Sequence, residues 1–154
     1  MKKIRNRISL LFTHGKFKKV PSYHISEEII MELAPNQIFV FGSNLNGWHG
    51  GGAANFARKN FGALIGTAVG LTGNTYALPT LGHHMEKLPL EKIKFHVAEF
   101  IQYAKMFNEK TFLVTEIGCG IAGFKVKDIA PMFEGAIKVK NIHLPEKFWK
   151  HLIN

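Results

Sequence analysis

Gln37-Ile38-Phe39-Val40-Phe41-Gly42-Ser43-Asn44-Leu45-Asn46-Gly47-Trp48-His49-Gly50-Gly51-Gly52-Ala53-Ala54 is the stretch that decides the fold. Residues 37–41 are an unbroken apolar, β-branched and aromatic run, the pattern of a strand buried on both faces. The run ends in a glycine-dense loop, 42–52, and residues 53–60, closed by Phe61-Gly62, read as a helix. Strand, glycine loop and helix in that order make the opening of a parallel α/β unit.

The same order recurs downstream. Thr75–Pro79 reads as a second strand. Residues 90–107 are the best helix in the chain, with Leu90, Ile93, Val97, Phe100, Ile101, Ala104 and Phe107 on one face and Glu91, Lys92, Lys94, Glu99, Gln102 and Lys105 on the other. Thr111–Ile117 is a third strand and ends in a second glycine loop, Gly118-Cys119-Gly120-Ile121-Ala122-Gly123-Phe124. A helix is expected from Asp128, as its cap, to Ile137, with Pro131 in its first turn. Residues 139–144 read as a last strand and 146–152 as a terminal helix. Upstream, residues 26–34 read as a short helix with Ser26 as N-cap and Pro35-Asn36 as its stop. Residues 63–74, with Gly66, Gly70 and Gly73, show no clear pattern. The alternation predicts a mostly parallel central sheet covered by helices, with right-handed crossovers.

Composition sets the class. The chain has 154 residues, 46% of them hydrophobic and 20% charged, which fits one ordinary globular domain. Cys119 is the single cysteine, so no intrachain disulfide is possible. No apolar run approaches a membrane span, and Ile8–Phe12 is too short for the core of a signal peptide. A cytoplasmic location is the expectation. The net charge of +9 is unevenly placed: Lys2, Lys3, Arg5, Arg7, Lys16, Lys18 and Lys19 carry seven of the nine charges. Residues 1–22 therefore read as a basic extension, lacking a clean period and disordered or solvated, and residues 23–154 as the folded domain. Contact with a polyanion through residues 1–20 is one expectation. The alternative function, a nucleic-acid-binding accessory protein, rests on it.

The two glycine loops carry the chemistry. In an open α/β sheet, ligands bind outside the carboxyl ends of the strands. Glycine lets a ligand approach the main chain, and a helix start offers unpaired N–H groups and a partial positive charge. Two such loops at one sheet edge point to a phosphate-type ligand. A P-loop is excluded, because no Gly-x-x-x-x-Gly-Lys-Ser/Thr occurs. Gly118–Gly123 matches Gly-x-Gly-x-x-Gly, and Glu146 lies near the place of the acid, but the chain ends before further βα units.

These segments resemble the ligand loops of macrodomains, and more closely those of uncharacterised bacterial and phage-associated macrodomain-like proteins. The resemblance lies in Phe41-Gly42-Ser43-Asn44, in His49-Gly50-Gly51-Gly52-Ala53-Ala54 and in Ile117-Gly118-Cys119-Gly120, and it covers roughly residues 25–148. It implies a three-layer macrodomain-like α/β fold that binds ADP-ribose or a related nucleotide across the top of the sheet. Gly42, Ser43 and Gly50, Gly51, Gly52, Ala53, Ala54 would then line one side of the diphosphate, and Gly118, Cys119, Gly120, Ile121, Ala122, Gly123 the other. Asn44 would contact the distal ribose and Phe124 would pack on it. An acid facing adenine is also implied, but Glu32 precedes the strand too early to be placed there.

The resemblance leaves catalysis open. De-ADP-ribosylating relatives carry a lysine and an aspartate at positions that here hold Leu81 and Ile121-Ala122, and the paired glutamates of the glycohydrolase type are absent from residues 53–62. A weak hydrolase or phosphatase would have to use His49 as acid or base, with Asn44 beside it; the competing role for His49 is to hydrogen-bond the loop into shape. Cys119 as a nucleophile at a helix start competes with Cys119 as packing. Trp48 either stacks on a base or covers the core, and Glu116 reads as a paired edge carboxylate. His83-His84 with His49 are the histidines that could hold a metal, but adjacent histidines rarely both ligate one ion from a loop, so no metal and no cofactor is expected.

Overall fold

The computed structural model describes residues 8–13, 16–21 and 24–153. Eight strands and four helices follow in the order β1 (Ile8–Thr13), β2 (Lys16–Pro21), β3 (Ile25–Ser26), β4 (Gln37–Asn44), α1 (Gly52–Phe61), β5 (Gly70–Thr72), β6 (Thr75–Leu81), α2 (Leu90–Met106), β7 (Thr111–Val114), α3 (Val126–Ile129), β8 (Ile142–Pro145) and α4 (Glu146–Leu152), with a 3-10 turn at Ala130–Ala136. The main sheet has six strands in the order β3-β8-β7-β4-β6-β5. Every neighbouring pair is parallel except β5 with β6, which is antiparallel.

β4 lies at the centre, and its residues face alternate sides. Phe39 and Phe41 pack with Ala54 and Ala57 of α1 and with Ala77 and Leu113. Ile38 and Val40 face the other way, into the larger core with Ile93, Val97 and Phe100 of α2 and Phe148 of α4. This strict alternation puts α1 on one face and α2, α3 and α4 on the other, which makes a three-layer α/β fold. The glycine that closes α1, Gly62, has φ 85, and its N–H returns to Ala57 O, as the Phe61-Gly62 stop implied.

Three expectations fail for identifiable reasons. Residues 27–36 are an irregular strap, with bends at 28–29 and a turn at 35–36, and not a helix. Ser26 is taken into β3, and its hydroxyl donates to Val114 O, so it does not cap anything. The strap must also pass two intervening strands on its way from β3 to β4. That is about 14 Å sideways, besides the return to the start of β4. A nine-residue helix reaches only about 14 Å in total, whereas extended chain covers about twice that.

Asp128 likewise caps no helix: α3 starts after Lys125, and the Asp128 N–H donates to Lys125 O. Pro131 has no N–H to continue the α ladder, and the chain tightens into the 3-10 turn there. β8 begins at Ile142 rather than 139, because residues 136–142 fold into successive turns, with Val139 N–H on Ala136 O and Ile142 N–H on Val139 O.

β1 and β2 pair as an antiparallel hairpin within the stretch read as an extension. Leu11 and Val20 are buried in the main core, and β1 lies against α4. Lys2, Lys3, Arg5, Arg7 and Ser22 lie outside the described residues. Among the described residues no helix is long and apolar enough to cross a membrane.

Two histidines sit together near the β3 edge, with the His24 and His143 rings 5.9 Å apart. Burial, followed by the neighbouring His24, pushes His143 down to about 4. Burial and Lys140 lower His24 as well. Both rings are neutral in the folded protein at pH 7, whereas in the unfolded chain they titrate near 6.5. Below pH 6.5 the unfolded state therefore binds more protons, and stability drains away as the pH falls to about 4. Urea midpoints recorded between pH 7 and 4 should fall steadily, and His143→Gln should flatten that fall. An unchanged slope in the variant would remove His143 as its cause.

Candidate functional site

β4 and β7 are adjacent and parallel, yet the chain leaves them in opposite directions. From β4 it runs through α1 to β6 on one side, and from β7 it runs to β8 on the other. The carboxyl ends of these two strands therefore form a topological switch point, where a crevice opens between the departing loops. A cleft of ≈ 310 Å³ lies there, lined by Gly42, Gly51–Ala54 and residues 115–122, with Thr80. Both sequence-predicted loops thus meet in one cavity.

The lining is mostly backbone. α1 begins with Gly51 as its N-cap, and no side chain satisfies the first turn. The N–H groups of Gly52, Ala53 and Ala54 have no acceptor within the helix, and the positive end of its dipole faces the cleft. Across the cleft, the second loop is a tight turn in which Cys119 N–H donates to Glu116 O, Gly123 N–H to Gly120 O and Phe124 N–H to Gly118 O. Among the described residues, the N–H groups of Gly120, Ile121 and Ala122 make no hydrogen bond. Unpaired amide donors from both loops therefore border one cavity. Gly42 forms its floor: a Cβ there would lie 3.4 Å from Thr80 Oγ1 and 3.6 Å from Gly118 N. The Ile121 side chain reaches over from the second loop, so that a Cβ on Gly51 would meet its Cδ1 at 3.1 Å.

Two further hollows continue the cleft. One, of ≈ 290 Å³, shares Gly52, Ala53 and Thr115 with it and is lined by Glu28, Ile29, Met31, Phe39 and Phe56. The other, of ≈ 230 Å³, shares Gly42, Gly51, Ala54 and Ile121 and is lined by Ser43, Asn44, Trp48, Gly50, Leu81 and Met85. The groove is therefore a line of three, with the backbone cradle in the middle.

The side chains singled out for chemistry fall into different places. His49 is only 1% exposed and lines none of the three hollows; it stands behind the first loop. Its Nε2 is 3.0 Å from Leu64 O, and its ring meets Phe41 edge-on at 5.1 Å. Burial lowers its pKa, so the neutral ring donates from Nε2 and ties the loop to residue 64. An acid or base that touches a ligand in the cleft is not what this position provides. Asn44 is also buried and spends its amide on the loop. Oδ1 accepts from Trp48 N at 3.0 Å and from Asn46 N at 3.2 Å, and Nδ2 donates to Trp48 O.

Cys119 lines the cleft as a thiol. Burial, with Glu116 nearby, pushes it up to about 11, and Sγ points to Ile117 O at 3.5 Å. No helix starts directly behind it to stabilise a thiolate, because α3 begins only at Val126. Phe124 packs against the main core, and Lys87 Nζ sits 4.9 Å over its ring and donates to Gly123 O. It lines none of the three hollows. Glu116 does face the cleft and is paired with Lys147 at 3.0 Å, as its edge position suggested. His83 is hydrogen-bonded to Asn46 at 2.9 Å, which joins the first loop to the loop after β6.

No family model matches the sequence, and no curated protein matches it. Among solved structures the chain is similar to a protein of unknown function from Bacteroides thetaiotaomicron. The TM-score is 0.53 and the identity 13%, over 74% of this chain and 88% of that one. The likeness is one of fold. It covers most of the α/β domain and carries no activity with it.

Sequence reasoning missed the strap. Read as a helix, residues 27–34 have no place beside the site. As an irregular strap they bring Glu28, Ile29 and Met31 to a hollow that Phe56 of α1 also lines.

Proposed function

We propose that this protein is a macrodomain-like module that binds ADP-ribose, or a closely related nucleotide diphosphate, along the three-part groove. The observation that carries the reading is the cradle of unpaired amides from both loops at the switch point between β4 and β7. Two linked phosphates need donors on both sides, and the two loops supply them without a lysine or arginine lining the cleft. The base goes to the hollow between the strap and α1, where Ile29, Met31 and Phe56 offer apolar surface. Glu28 stands at the same hollow and supplies the acid for the exocyclic amine that the resemblance asks for.

The reading is of a binder and not a hydrolase. His49 faces away from the groove, Cys119 stays protonated and Glu116 is tied to Lys147. Isothermal titration is the test: ADP-ribose and ADP should bind, and AMP should bind at least about tenfold more weakly for want of the second phosphate. Equal affinity for AMP and ADP would count against the cradle. Incubated for hours with ADP-ribosylated protein, the wild type should release nothing. Release by the wild type that is lost in His49→Ala would replace the binder with an enzyme.

A further inference from the structure

We infer that the groove's third hollow is a subsite for a flat aromatic ring, so that the preferred ligand class is a dinucleotide, in which a second nucleoside continues beyond the diphosphate. The inference rests on the nucleotide-diphosphate reading above and adds to it what the far end of the ligand carries. The third hollow shares Gly42, Gly51, Ala54 and Ile121 with the cradle and no lining residue with the hollow at the strap. A ligand with its first base against Phe56 and its phosphates on the amides must therefore send its other end here.

The lining suits a ring better than a bare sugar. Trp48, Leu81, Met85 and Ile121 provide apolar side chains. The Asn44 and Ser43 side chains are already engaged, Asn44 with the backbone of residues 46 and 48 and the Ser43 hydroxyl with Ala68 O. Sugar hydroxyls gain little from such partners, whereas the face of an indole attracts any base.

Trp48 is held ready for that contact. Asn44 grips both its backbone N–H and its carbonyl. Its indole lies across Gly50, where a Cβ would collide with Nε1. The residue is nevertheless 59% exposed. Met85 lines the same hollow and is 48% exposed, with its backbone in the left-handed region at φ 61. A non-glycine residue is kept there only when its surroundings impose it. Here they do: Met85 N–H is bonded to Gly82 O, Gly82 N–H to Glu86 O, and His83 to Asn46. Two apolar side chains are thus fixed on rigid loops and left uncovered at the end of the groove.

The test compares NAD, diadenosine diphosphate and ADP-ribose by titration calorimetry on the wild type, Trp48→Ala and Met85→Asn. Asparagine tolerates the left-handed backbone, so the second variant removes the thioether without forcing the loop. Both dinucleotides should bind the wild type about tenfold more tightly than ADP-ribose, and Trp48→Ala should erase that advantage. Met85→Asn should reduce it. Circular dichroism and thermal melts of both variants should match the wild type, which reports that the variants fold. Dinucleotides no tighter than ADP-ribose, or an advantage that survives both substitutions, would overturn the subsite while leaving the cradle standing. If none of the three nucleotides binds, the cradle reading fails first and the subsite falls with it.

Discussion

Gly51→Val should abolish binding of ADP-ribose and leave the free protein's melting temperature nearly unchanged. Gly51 has φ −151 and ψ 167, an extended backbone that valine adopts readily. A Cβ there meets only the tip of Ile121, a flexible neighbour that can turn aside. Two small effects on stability oppose each other. Valine is a poorer N-cap than glycine for α1, while a less flexible unfolded chain favours the fold by about 0.4–1 kcal/mol. The net is within about 1 kcal/mol, or roughly 2–4 °C for a chain of this size. Binding is different, because the valine methyls occupy the volume that the ligand needs beside the amides of Gly52 and Ala53. A loss of about 100-fold or more is expected, equivalent to about 2.7 kcal/mol. In thermal shift, ADP-ribose at about 100 times its dissociation constant should raise the wild-type melting temperature by roughly 5–10 °C and the variant's by almost nothing. A variant that responds like the wild type would place the ligand elsewhere.

Much of the fold was legible because one signal dominates it. The run from Gln37 to Phe41 can be buried on both faces only as an interior strand, and β4 is the central strand of the sheet. The face of α2 was legible for the same reason: Ile93, Val97, Phe100, Ile101 and Ala104 are all buried. The failures occur where local pattern and chain geometry disagree. Residues 27–34 have good helix formers, but the route from β3 to β4 is too long for a helix. The Gly70–Thr72 strand escaped notice because it is short, glycine-led and at the antiparallel edge of the sheet, where pairing with β6 and not burial defines it.

The candidate site divides along a similar line. Glycines announce backbone, so the two loops of the cleft were readable from Gly42 and Gly51–Ala54 to Gly118–Ala122, although Gly123 lines none of the three hollows. Side-chain roles were not, because residue type does not say which way a side chain points. His49 and Asn44 are polar residues in a polar-looking loop, yet both turn inward and hold it together. Phe124 follows the second loop directly, yet it packs back onto the core beneath Gly118. The strap's contribution, with Glu28 and Met31, was out of reach because it depends on a segment whose conformation was misread.

Gly118→Val tests the opposite limit, a glycine whose replacement should damage the fold itself. Gly118 has φ +76, in the left-handed region, where an L residue loses about 1–2 kcal/mol and a β-branched one more. The turn needs that conformation, since Phe124 N–H reaches Gly118 O at 2.8 Å to close the loop. Space is short as well. A Cβ would lie 3.3 Å from the Phe124 ring and 3.4 Å from Ile129 Cδ1, and Ile129 is fully buried. Overpacking of this kind costs about 1–3 kcal/mol, because the buried Ile129 has no room to retreat. Strain and crowding together come to about 2–5 kcal/mol, a large part of the roughly 5–15 kcal/mol that holds a domain together. The expected fall in melting temperature is of the order of 10 °C. Gly118→Ala separates the two causes: it keeps most of the backbone strain but adds only the Cβ, so it should fall between the wild type and valine. Chemical denaturation of the three proteins should rank them glycine, alanine, valine. If alanine and valine both unfold with the wild type, the left-handed turn is not required, and the second loop is free to take another shape.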